Sequence, residues 1–106
     1  MDIDSIFDGC HGFQWDKGNS LKNWLKHGVS EGEAEQGFFN EPLLVLEDNA
    51  HSHMENRFLA LGSTDQGRLL FIVFTIRGNF IRIISARNMN KKERERYEKF
   101  KNDSKI

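Results

Sequence analysis

At 106 residues, with 38% hydrophobic and 29% charged side chains, the chain has the size of one domain and enough apolar content for a single core without disulfide or metal support. No apolar run approaches the roughly 20 residues of a membrane span, the acidic start lacks the parts of a secretory signal, and a lone Cys10 suits a reducing compartment, so a cytoplasmic protein with no membrane partner is expected. The net charge of -1 hides an asymmetry: residues 1–53 carry 3 Lys against 10 acids, and residues 54–106 carry 12 Lys or Arg against 6 acids, which suggests a polyanion-facing half unless the surface is simply mixed.

Residues 1–12 alternate Asp with Ile and Phe and read as a loosely attached arm. Phe13-Gln14-Trp15 is a short strand candidate. Asp16 is placed to cap a helix over residues 17–27, with Leu21, Trp24 and Leu25 on one stripe and Gly28 as its left-handed stop. Ser30 and Glu33 form a capping box for a second helix, which buries Ala34 and Phe38, with Phe39 as a further candidate; Gly32 and Gly37 weaken it and Pro42 ends it. Two short helices this close together are expected to cross steeply and roof the apolar face of a sheet.

Leu43–Leu46 reads as a strand, followed by a polar loop and a further strand over Arg57–Gly62. The next stretch, Arg68 to Arg87, holds two apolar runs about Gly78-Asn79, a strong hairpin signal because glycine accepts positive φ and asparagine tolerates it. With that turn, Arg77 faces Phe80, Thr75 faces Arg82, Val73 faces Ile84 and Phe71 faces Ala86. If the loop over residues 63–67 sets Gly62 against Arg68, Arg57 faces Val73 and shares the odd-numbered face with Arg77 and Arg82. Arg87 falls on the core side, within reach of Glu93. Asn90 and Glu93 cap a third helix bearing Tyr97 and Phe100, frayed past Lys101. The expected fold is α+β: an antiparallel sheet of about four strands, two short N-terminal helices on one face and a C-terminal helix, with residues 13–101 as one domain.

Arg57, Arg77 and Arg82 on one exposed face could clamp a phosphate, since guanidinium groups bind it bidentately; strand arginines also serve as edge protection. Glu55 could act as a base beside Arg57. Tyr97 could give a proton or stack on a base, though its spacing with Phe100 also suits packing. Lys26-His27 first compensates a helix dipole, and His27 could also act as general acid or base. His51 and His53 with Cys10-His11 lack the spacing of a structural zinc site, so no metal or other cofactor is expected.

Taken together, Phe13-x-Trp15-Asp16, Asn23 with Lys26-His27-Gly28-Val29, the D-x-x-H-S-x-x-E-x-R run from Asp48 to Arg57, Gly62 with Gly67, Arg82-Ile83-Ile84-Ser85-Ala86-Arg87 and Glu93-Arg94-x-x-Tyr97 resemble the BrnT family over about residues 13–98. That family is the toxin half of a bacterial type II toxin-antitoxin pair. The resemblance implies a RelE-like fold and an RNA endonuclease that arrests translation. It also implies neutralisation by a BrnA-type antitoxin, whose DNA-binding half takes the complex, a heterotetramer, to operator DNA. Lys26, His27, Glu55, Arg57, Arg82 and Arg87 fall where the family has the same residues, and Arg77 where a basic residue is common. Two departures stand out: Asn19 replaces a usual lysine, and the arm over residues 1–12 has no counterpart in most members.

These residues suggest a metal-free ribonuclease: Arg57, Arg77 and Arg82 as phosphate clamp, Glu55 or His27 as base, and Lys26 or Tyr97 as acid or positioning group. The alternative is a non-catalytic module that binds nucleic acid or protein through the basic C-terminal half. A small zinc-supported domain is a third reading.

Overall fold

A computed structural model describes residues 5–51 and 55–103. Its elements in chain order are β1 (Gly12–Gln14), α1 (Lys17–His27), α2 (Glu31–Gln36), β2 (Leu44–Glu47), β3 (Arg57–Ser63), β4 (Leu69–Arg77), β5 (Phe80–Asn88) and α3 (Lys91–Asp103), with a short 3-10 turn at Asn49–His51. The α+β class stands, but the sheet has five strands in the order β1-β5-β4-β3-β2, not about four, and it is mixed. β1 is the addition: it runs parallel to β5, Gly12 to Gln14 alongside Phe80 to Arg82.

The hairpin forms about Gly78, whose φ of 60° is the left-handed turn conformation, and Arg77 pairs with Phe80 as expected. Thr75 pairs with Arg82 and Phe74 with Ile83. The register then slips: Val73 pairs with Ser85 and Phe71 with Arg87, leaving Ile84 as the extra residue of a β-bulge. An inserted residue reverses the in-and-out alternation beyond it. Ala86 therefore turns into the core at 0% exposure, and Arg87 moves to the open face instead of the core side. β3 sits two residues along from the expected pairing, with Arg57 opposite Thr75 and Gly62 opposite Leu70, a shift that keeps Arg57 on the open face.

The covered face carries Phe58, Ala60, Leu70, Ile72, Phe74, Ile81, Ile83 and Ala86, all buried. Its roof differs from the expectation. Ile6 is 8% exposed, and Phe7 stacks on Phe74 with ring centroids 5.8 Å apart, while Phe38 meets the same ring edge-on at 5.0 Å. Residues 5–12 are thus packed against the core rather than loose, and they share the roofing with Val29 and α2.

α1 contributes little to that roof. Leu21, Trp24 and Leu25 are 59%, 54% and 73% exposed, and Asn23 is its buried residue. The reason lies in β1: because that strand pairs along the outer edge of β5, the helix leaving it follows the same edge instead of crossing the face. Among the described residues no strand covers that edge beyond Arg82, and Asn23 supplies a pairing there, its Oδ1 accepting the Ala86 amide at 2.9 Å. The caps are as expected: Asp16 accepts the Asn19 amide, Gly28 takes φ 64°, and Ser30 and Glu33 complete a capping box.

Gly37, expected only to weaken the helix, lies against the sheet, where a Cβ on it would press on the Ile72 side chain. A Cβ on Gly62 of β3 would collide with the Gly37 carbonyl oxygen, so α2 meets the sheet backbone to backbone. On the opposite face α3 covers one end. Its Tyr97 is 1% exposed and packs in a smaller cluster with Leu61 and Met89. This helix runs to Asp103, past the expected fraying point at Lys101, and residues 104–106 lie outside the described residues. Among the described residues no helix is long and apolar enough to cross a membrane.

Candidate active site

The part of the open face that α3 leaves uncovered is a hollow of about 310 Å³ edged by Asp48, Arg57, Leu59, Phe71, Val73, Ile84 and Ser85. A second hollow, about 240 Å³, lies between α1 and β5 and is edged by Asn19, Lys22, Asn23, Lys26, His27, Ile84 and Ser85. The two share Ile84 and Ser85, at the bulge of β5, as a common edge, so β3 and α1 border neighbouring hollows. Together they offer room on the scale of a small-ligand site.

Arg57 and Arg82 flank Thr75 in one cross-strand row, so their backbones stand about 10 Å apart, two strand spacings. Thr75 is 1% exposed and its hydroxyl donates to the Asn56 carbonyl at 2.6 Å, a bond that ties the start of β3 to β4 beside Arg57. Arg82 lies 3.7 Å from Asp16, the cap of α1. The Asp16 carboxyl is held below its usual range chiefly by the Asn19 amide, with Arg82 and Lys22 adding to the effect. The other end of α1 is fixed by Arg68, whose guanidinium donates to the carbonyls of Gly28 at 2.9 Å and His27 at 3.3 Å and to Glu33 at 3.0 Å. Lys26 and His27 are therefore carried on a helix anchored at the cap, at Asn23 and at its last carbonyls.

The remaining residues singled out in the sequence fall elsewhere. Arg77 sits at the hairpin tip and donates to both carboxylate oxygens of Glu55, at 3.0 and 3.2 Å, so Glu55 is engaged by Arg77. Arg87 binds Glu93 through two bonds of 2.8 Å and lies 4.1 Å above the Phe71 ring at the margin of the first hollow, so the expected pairing forms from the other face. Tyr97 is buried under α3 with its hydroxyl donating to the Pro42 carbonyl at 2.7 Å, a packing position that lines neither hollow.

The arm places Cys10 and His11 beside Phe7, Phe13 and Phe38 in a separate apolar hollow, where burial, then Asp8, pushes the Cys10 thiol up and away from thiolate chemistry. His53 lies outside the described residues, and among the described residues no group of three His, Cys, Asp or Glu is placed to hold a metal.

Lys22, Ser85 and Arg68 were not singled out from the sequence. For Lys22 the signal was present: Asn19, Lys22, Asn23, Lys26 and His27 form an unbroken polar side of α1, whose Lys22 and Lys26 margin borders the apolar stripe. Ser85 depends on the bulge, which no local pattern announces.

The arrangement gathers cations, an imidazole and a hydroxyl round two hollows with a shared edge, which is suited to holding a phosphate and moving a proton beside it. No curated relative matches the chain by sequence. The fold is similar to the crystal structure of the Brucella abortus ribonuclease toxin BrnT, with a TM-score of 0.59 at 20% identity, over 76% of this chain and 97% of that one. A family model described as "Ribonuclease toxin, BrnT, of type II toxin-antitoxin system" matches residues 15–93. With that match spanning well over half its length, the chain belongs to the BrnT family of ribonuclease toxins.

Proposed function

We propose that this chain cuts RNA by attack of a ribose 2′-hydroxyl on the adjoining phosphate, with side chains rather than a metal supplying the catalysis. The observation that carries the reading is the pair of hollows that share Ile84 and Ser85 as an edge, one lined by Arg57 and the other by Lys22, Lys26 and His27.

Arg57 holds the scissile phosphate, with Arg82 at the rim of the same row, and both stabilise the negative charge that builds as phosphorus becomes five-coordinate. His27 takes the proton of the 2′-hydroxyl, an imidazole being suited to accepting and returning one. The 2′-oxygen then bonds to phosphorus and the 5′-oxygen leaves, taking a proton from the Lys26 ammonium. The products are a 2′,3′-cyclic phosphate and a 5′-hydroxyl. Glu55 and Tyr97 have no part in this scheme, since the first is bound to Arg77 and the second is buried on Pro42. Asn19, in place of the usual lysine, edges the second hollow beside Lys22, which serves in its stead.

The partner in this reading is a BrnA-like antitoxin that carries the toxin to operator DNA as a heterotetramer, and the pair acts in the cytoplasm. Incubating the purified chain with RNA in the presence of EDTA tests the chemistry: cleavage with cyclic phosphate ends is expected, and 3′-hydroxyl ends or a requirement for added metal overturn it. RNA bound but never cut would point instead to an interaction module. Arg57→Ala should slow cleavage by roughly 10²–10³-fold, as removal of a preorganised oxyanion donor does.

A further inference from the structure

The outward side of α1 has no role in the scheme above, yet it is unusual for a surface. Leu21, Trp24 and Leu25 lie one turn apart on one stripe and are all more than half exposed, and the helix that carries them also carries Lys17, Lys22 and Lys26 with no acid. Lys22 and Lys26 run beside the stripe and edge the hollow against β5. An occupant seated on the apolar stripe therefore reaches two cations of the candidate site without entering it.

We propose that this face of α1 is the seat of the antitoxin, and that the segment seated there is amphipathic, with apolar side chains on Leu21, Trp24 and Leu25 and carboxylates on Lys22 and Lys26. The inference rests on the toxin reading given above. Charge complementarity selects the occupant: a helix with three lysines and no acid repels a second copy of itself and attracts an acidic flank. Neutralisation follows directly, because the carboxylates take the ammonium groups that the leaving 5′-oxygen and the phosphate would otherwise meet.

The test uses the whole chain co-expressed with a candidate antitoxin, the product of the reading frame adjoining its gene, after showing that this product restores growth to cells expressing the parent toxin. Failure at that first step counts against the toxin reading itself. The double variant Leu21→Ser with Leu25→Ser should stay toxic and cut RNA like the parent. It should escape neutralisation and bind the antitoxin roughly a hundredfold more weakly, as loss of two hot-spot contacts predicts. In a Trp15→Phe background, Trp24 emission should move to shorter wavelength when the antitoxin is added. A carbodiimide should join Lys22 or Lys26 to an antitoxin carboxylate. Undiminished neutralisation of the double variant, or cross-links that avoid α1, would overturn the proposal. So would a toxin dimer that the double variant abolishes while antitoxin binding persists.

Discussion

Replacing Asn23 with Ala asks whether the polar side of α1 holds the site together. The side chain is 5% exposed, its Oδ1 accepts the Ala86 amide at 2.9 Å, and its Nδ2 reaches the Val29 carbonyl at 3.4 Å. The longer bond lies beyond the usual range and contributes little. The shorter one matters, because its loss strands a buried amide on the edge of β5. An unsatisfied donor of that kind costs about 1–3 kcal/mol, so a loss of about 2 kcal/mol is expected. With a urea slope of about 2 kcal/mol per molar, the midpoint falls by roughly 1 M. Cleavage should fall as well, since Lys26 and His27 ride on the helix that is released. Urea unfolding followed by circular dichroism, beside single-turnover cleavage, reads both effects. Asn19→Ala, on an exposed neighbour, is the control and should stay within about 0.5 kcal/mol of the parent. If Asn23→Ala moves the midpoint no further than this control, the helix is held by something other than the Ala86 bond.

Tyr97→Phe should cost about 1 kcal/mol through the stranded Pro42 carbonyl and leave the cleavage rate unchanged; a large drop in rate without loss of stability would return Tyr97 to the chemistry. Gly62→Ala should destabilise by roughly 1–3 kcal/mol, because the new Cβ meets the Gly37 carbonyl oxygen, and a thermal melt equal to the parent's would show that α2 can shift freely. Stability should also fall in acid. The Glu33 carboxyl is held below its ordinary value of 4.5 chiefly by the Ser30 amide and then by Arg68, against burial; for Glu93 burial is the largest influence and raises it, but the Arg87 bonds and the Asn90 amide together outweigh it. Carboxyls lowered by folding stabilise the native state fully above their unfolded values and lose that contribution as pH drops below about 4.5 and through the folded values. The melting temperature of Glu93→Gln should accordingly vary less with pH in that window than the parent's, and parallel curves would discount the pair.

What was legible in the sequence is what local chemistry decides. Gly78 demanded the turn, Asp16 and Ser30 wrote their helix starts, and the parity of β3 put Arg57 on the open face even though its register was two residues out. The bulge in β5 was not legible, because Ile83, Ile84 and Ser85 suit a regular strand as well as an irregular one. Its cost to the reading was the wrong face for Arg87. The stripe of α1 misled for a related reason: apolar spacing shows that a face is sticky but not what it sticks to, and the parallel pairing of β1 turned that face outward. The arm was misjudged because its alternating acids suggested solvent, while Ile6 and Phe7 reached the space that α1 left over the sheet.

Several arginines of the basic half already face carboxylates, among them Arg68 with Glu33, Arg77 with Glu55, Arg82 with Asp16 and Arg87 with Glu93. Two of these pairs, those of Glu33 and Asp16, reach back into the acidic half, so charges separated along the chain are interleaved once it folds. A polyanion settling on such a surface releases few small ions, since much of the local field is satisfied from within. Its grip on RNA would then come from fit at a narrow spot more than from general attraction, and the protein could move among the polyanions of a crowded cell without adhering to most of them.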